Sequence, residues 1–276
     1  MSDSRPIATR WWKLQTLVMT VTALVLIIAP RWVFTQVTGQ QAPDPTSPEQ
    51  IAVDMIRMTS VYPASMAAFS WLAGLRRSMY VQRWFALAFV GGFAMVTSGV
   101  VWAILRTGTY ATAAWGVAAA VGTLTLANLG VAVLPPRTTT EQPSPKAPPG
   151  SRATWLAQSL YWHIVAWLFV LAPDEVWGPQ VVESFRPLTD FSRDATMIIG
   201  CWSVGFGLFC LFAALTLREH AWRGFAWLIT GFLVVYYPVF VGIWLSGRFE
   251  LLALSALALN TVFLLLNIRI GRYYIS

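Results

Sequence analysis

Few residues in this chain combine reactive chemistry with a position where it could act. His163 is the foremost. It lies midway along the apolar run 155–172, amid Tyr161, Trp162 and Trp167. An ionisable group inside a membrane segment is a functional candidate by default. As such it is a candidate proton relay, or an axial ligand to haem or chlorophyll. Haem held by two histidines is excluded, because the other histidine, His220, falls in a loop. Against these roles stands a neutral imidazole hydrogen-bonded across a helix interface. That costs little compared with a charge, and it is the preferred reading.

Four more polar residues sit deep in apolar runs: Thr20, Thr125, Tyr236 and Asn260. Together they are candidates to line a cavity for a ligand that is mostly apolar. The plainer alternative is hydrogen bonding between helices, worth about 0.6 kcal/mol each. Arg57 and Arg193 each head an apolar run, with Asp54 and Asp190 three residues before them. Placed about 27 Å from the far end of its helix, Arg57 reaches the outer interface of a hydrocarbon core about 30 Å thick. There it can snorkel, pair with an acid, or hold an anionic lipid headgroup. The acids of segment 174–194 lack an EF-hand pattern and read as a solvated loop.

Several chemistries are excluded. No lysine lies in an apolar run, which rules out a retinal Schiff base. No acid lies mid-run, and no P-loop, HExxH, CxxC or G-x-S-x-G motif occurs. No catalytic residue, metal ligand set or resident cofactor is expected. Cys201 and Cys210 share one run. Nine residues apart on a helix they are separated by roughly 13 Å, beyond the reach of a disulfide.

These residues are carried by a chain suited to lipid. Hydrophobic residues make up 57% and charged residues only 11%, against about 25% charged in soluble domains. The net charge of +7 does not imply a nucleic-acid partner. The basic residues recur in short clusters between apolar runs, as expected next to membrane spans. Eight such runs appear, at 14–30, 55–75, 84–105, 110–134, 155–172, 195–217, 221–245 and 249–268. Each fits a spanning helix of about 17–25 residues. With eight spans, thirteen of the 19 basic residues fall on the side of the termini, which predicts both termini in the cytoplasm. Pro63 and Pro238 should kink their helices. The Arg-rich, lysine-poor usage points to a bacterial inner-membrane protein.

Residues 136–152, rich in Pro, Thr and Ser, form an expected cytoplasmic linker between a first unit at 1–135 and a second at 153–276. The two units resemble each other. Trp12, Gln15, Ala29 and Pro30 match Trp155, Gln158, Ala172 and Pro173 at an offset of 143. Asp54 and Arg57 match Asp190 and Arg193 at 136, Phe69 and Phe85 match Phe209 and Phe225 at 140, and Asn128 matches Asn267 at 139. An even number of helices per unit predicts two tandem four-helix bundles in a parallel pseudo-twofold arrangement.

Each unit has a Pro ending its first helix and an Arg opening its second and third: Pro30, Arg57 and Arg83, then Pro173, Arg193 and Arg223. In this it resembles the DoxX-like four-helix bacterial membrane families. The resemblance implies a fold and carries no catalytic residue. Two functions fit. One is a non-catalytic accessory, assembly or scaffolding subunit, with membrane lipids and other membrane subunits as partners. The other is a small transporter or binder of an apolar molecule or lipid.

Overall fold

The computed structural model describes residues 5–75, 79–134, 147–216 and 219–273. Among these the regular structure is helical and no sheet forms. The first half holds α1 (Arg5–Ile28), α2 (Pro30–Thr38), α3 (Gln50–Thr59), α4 (Val61–Leu75), α5 (Met79–Thr107) and α6 (Thr112–Val133). The second holds α7 (Ser151–Leu171), α8 (Pro173–Trp177), α9 (Asp190–Thr216), α10 (Glu219–Ile243) and α11 (Ser255–Arg272).

Among the described residues seven helices are long and apolar enough to cross a membrane: α1, α5, α6, α7, α9, α10 and α11. By length and hydropathy the protein is a multi-pass membrane protein. Its surface agrees. Leu14, Leu17, Val21, Leu24 and Ile28 are exposed along one side of α1, as are Leu160, Ile164, Trp167 and Leu171 along α7. Such stripes, recurring at helical spacing, suit lipid and not water.

The expected second span, 55–75, is two helices instead of one. Pro63 has no N–H to give the carbonyl of Thr59. The backbone breaks three residues earlier, where the Ser60 N–H bonds the carbonyl of Arg57 at 3.1 Å. Together α3 and α4 still run antiparallel beside α1. Gly74 meets Trp12 near one end, Ser70 bonds Gln15, and Arg31 bonds Gln50 at the other end. Pro238, by contrast, lies inside a helix that continues through it.

The ends of α1 and α7 are built alike. Ala29 and Ala172 leave the helical region with similar backbone angles, and Pro30 and Pro173 open the next short helix. Proline suits a first helical position, where its missing N–H would have no partner anyway. The expected linker 136–152 lies mostly outside the described residues. Its last part turns at Gly150, whose φ of 84° suits glycine, and Ser151 and Arg152 already belong to α7.

The core is aromatic, and α9 is the most enclosed of the long helices. Phe69 stacks on Phe209 with ring centroids 4.2 Å apart, and Phe85 on Phe225 at 4.9 Å. Tyr62 stacks on Trp202 at 6.5 Å. Each of these pairs joins α4 or α5 to α9 or α10 across the same 140-residue separation. Close approach of α5 to α9 depends on glycine. A Cβ on Gly92 would stand 2.8 Å from the Gly205 backbone, and one on Gly205 would stand 2.9 Å from Gly92. Both cysteines are buried and free.

Candidate functional site

Two tiers of polar groups stand out in the interior. In the first, toward the termini, Gln15 of α1 accepts from the Asn128 side chain of α6 at 2.7 Å. Asn128 also donates to the Leu124 carbonyl at 2.8 Å. In the other half Gln158 of α7 accepts from Asn267 of α11 at 2.8 Å, and Asn267 donates to the Phe263 carbonyl at 2.8 Å. All four amides are fully buried. Gln15 further donates to Ser70, and Trp12 to Gln82. The sequence matches singled out these residues but not their bonding. A buried amide needs partners, and each pair satisfies much of its need internally.

The second tier lies at the opposite end. Asp54 of α3 is buried and receives the guanidinium of Arg248 at 2.6 and 3.0 Å. Arg248 follows α10 just after Gly247, whose φ of 75° turns the chain. It is held there by backbone bonds from Val182 to Arg248 and from Glu250 to Gln180. In reciprocal fashion, Asp194 of α9 is buried and receives Arg106 of α5 at 2.6 Å. Tyr110 donates its hydroxyl to the same carboxylate at 2.9 Å. Each half thus supplies an arginine to the other half's buried acid.

Burial, and then the charge of Asp194, push the Tyr110 phenol well above its ordinary range. A raised folded-state pKa gives stability that is fully present below the unfolded tyrosine value of about 10 and declines as pH rises past it. Tyr110→Phe should therefore lower stability by about 1.5–3 kcal/mol at neutral pH. It should also reduce the loss seen between neutral pH and pH 11 in thermal unfolding of the detergent-solubilised protein.

The residues expected to line a cavity lie on four helices, α1, α6, α10 and α11. Thr20 is exposed on α1 and donates to the Thr16 carbonyl at 2.8 Å. Thr125 of α6 is half-buried and donates to the Val121 carbonyl at 3.1 Å. Tyr236 is buried between Phe232 and Phe240. Asn260 is fully buried, and neither amide atom is bonded among the described residues. No described hydrogen bond joins any two of these residues.

His163 is half-buried on α7. Its Nδ1 lies 2.7 Å from the Ser159 carbonyl of its own helix, an acceptor that places the ring proton on Nδ1. The hydrogen bond is thus within the helix and not across the interface. What crosses the interface is packing: a Cβ at Gly207 of α9 would stand 2.6 Å from the imidazole. Among the described residues no group of three His, Cys, Asp or Glu could hold a metal. His163→Gln should leave abundance and thermal midpoint nearly unchanged. Protein purified from its own membrane should show no visible band that depends on His163. A Soret or near-infrared band lost in the variant would make His163 an axial ligand.

Arg193 is paired, with Asp174 at 2.8 Å and Asp190 at 3.1 Å. Arg57 is not. Of the roles expected for it, pairing with Asp54 is the one the structure overturns, because Arg248 takes both oxygens of that carboxylate. The partners of Asp54 and Asp194 were missed because they lie 194 and 88 residues away. A signal existed: Asp54 and Asp194 share the 140-residue spacing of the phenylalanine matches.

Compared with protein-family models, with curated proteins and with solved structures, the chain matches none.

Proposed function

We propose that this chain is a non-catalytic subunit, with an accessory, assembly or scaffolding role in a larger complex of the bacterial cytoplasmic membrane. In this reading α3 and α4 together form an eighth span, so both termini lie in the cytoplasm. The units 1–135 and 153–276 are parallel repeats of a DoxX-like four-helix kind. The paired amides, the exchanged arginines and the self-stacked rings support that symmetry.

The observation that carries the functional reading is the filled centre. Phe69, Phe85, Phe209 and Phe225 meet where a parallel repeat would otherwise leave a cavity. A transport path needs polar groups and room there, and the rings occupy it. The outward surface offers Trp32, Trp71, Trp102 and Trp115, all exposed. They are large apolar groups suited to lipid boundaries and to neighbouring helices. Extraction from its own membrane in mild detergent tests this. A second membrane polypeptide should accompany the protein in constant ratio through size exclusion and ion exchange. A monodisperse monomer at every step would overturn the proposal.

A second reading, a binder of an apolar molecule or lipid, is favoured by one observation. Asn260 is fully buried with no partner for its amide among the described residues. A buried unsatisfied group costs about 1–3 kcal/mol. Under the subunit reading Asn260→Leu should raise the thermal midpoint. Under the binder reading it should instead lower the midpoint and release a small molecule, seen by mass spectrometry of the purified protein.

A further inference from the structure

We infer that Arg57 is the anchor of a lipid site, holding the phosphate of one phospholipid against the exposed side of α3 and α4. This rests on reading α3 and α4 as a membrane span, and it stands apart from the subunit proposal.

The first ground is charge. Six arginines lie toward the end of the molecule that carries the ion pairs. Arg31 bonds Gln50 and the Pro43 carbonyl, Arg106 bonds Asp194, and Arg186 bonds the Val181 carbonyl. Arg193 bonds Asp174 and Arg248 bonds Asp54. Arg57 alone has no hydrogen bond and no ion pair among the described residues, and its Nε is sealed from the surface. The one acid within a helical turn, Asp54, is already neutralised by Arg248. Withdrawing that N–H from water without a partner is costly, and arginine cannot shed its proton. A counter-anion from outside the protein resolves the imbalance.

The second ground is direction. The side of α3–α4 turned away from the bundle reads Arg57, Ala64, Ala68, Trp71 and Leu75. Trp71 and Leu75 are more than half exposed, and Arg57, Ala64 and Ala68 are half-buried. Arg57 stands at one end, about 27 Å along the helices from Leu75, at the depth where phosphates begin. Beyond it along the helices stand Ala64 and Ala68, with only methyl groups, and then Trp71. An arginine fork matches a phosphate with two parallel hydrogen bonds. The fold itself does not require a cation here. At the 140-residue spacing that relates Asp54 to Asp194, Arg57 corresponds to Met197, which is buried and apolar.

The test is native mass spectrometry of the full chain, delipidated in detergent and titrated with a short-chain phosphatidylglycerol. Parallel titrations use a short-chain diacylglycerol and inorganic phosphate. Wild type should hold one phosphatidylglycerol more than Arg57→Met at the same concentration, and Arg57→Lys should retain part of that binding. Diacylglycerol should show no difference between wild type and variant, and tenfold excess inorganic phosphate should not displace the lipid. Without lipid, Arg57→Met should melt no lower than wild type, because the variant loses an unpaired charge. Equal phosphatidylglycerol adducts in wild type and Arg57→Met would overturn the inference. So would displacement by inorganic phosphate, which would make this a site for free anions. Whether α3–α4 crosses the bilayer is read separately, by thiol labelling on either side of the segment.

Discussion

Asp54→Asn is expected to destabilise the protein by about 3–5 kcal/mol, the usual cost of breaking a buried ion pair by removing one partner. Asp54 is 2% exposed at its side chain and Arg248 15%. The variant leaves Arg248 enclosed with no carboxylate, and no other acid is bonded to it. Arg248→Met should cost a similar amount by leaving the carboxylate alone. The double variant Asp54→Leu/Arg248→Met should recover most of the loss, since replacing both partners by apolar groups is often neutral. Arg106→Met should be milder. Arg106 is 37% exposed, and Asp194 keeps its bond from Tyr110. Denaturation midpoints in one detergent check all four, and Asp54→Leu alone closes the double-mutant cycle. Additive losses in the double variant would mean that the pair is not a unit.

The second large effect lies in the core. Gly92→Ala and Gly205→Ala should each cost about 1–3 kcal/mol through overpacking. The obstacle is backbone in both directions, so no side chain can simply swing away. The two losses should not add. Once one methyl has pushed α5 from α9, the second has room. Gly92→Leu should abolish the fold. Gly116 and Gly130 serve as controls, because a Cβ there meets nothing within 4 Å. Alanine at either should be neutral or stabilise slightly, by up to about 1 kcal/mol. Thermal unfolding of these five variants and of the double variant Gly92→Ala/Gly205→Ala, beside wild type, gives the comparison. Equal losses at Gly92 and Gly116 would deny the close crossing.

The membrane class was legible in the sequence because composition alone decides it. With so few charges the chain cannot cover a water-facing surface, and the exposed leucine stripes of α1 and α7 follow. Helix ends were legible where the backbone dictates them, as at Pro30 and Pro173. The break at Ser60 was legible only as a kink, because hydropathy runs smoothly through Pro63 while hydrogen bonding does not. The ion pairs were hidden for a different reason. Sequence spacing shows neighbours on one helix, such as Asp54 and Arg57, but the partner of Asp54 comes from the other half of the chain. Matching Asp54 and Arg57 to Asp190 and Arg193 joins residues with different partners. Matching Asp54 to Asp194 joins two that do the same work. The mid-helix polar residues were visible, but a type and a depth do not give a direction. Thr20 faces outward, Asn260 inward, and His163 bonds its own helix.

Whether the chain crosses the membrane eight times is the central claim, and side-specific thiol labelling tests it most directly. In protein with Cys201 and Cys210 replaced by alanine, single cysteines would be placed at Ser2, Thr46, Pro143 and Ser276. A membrane-impermeant maleimide would be applied to spheroplasts and to inverted vesicles. The account predicts labelling of Ser2→Cys, Pro143→Cys and Ser276→Cys only in inverted vesicles, and of Thr46→Cys only in spheroplasts. Labelling of Ser2→Cys on one side with Pro143→Cys and Ser276→Cys on the other would show that α3–α4 does not cross, and would contradict the account.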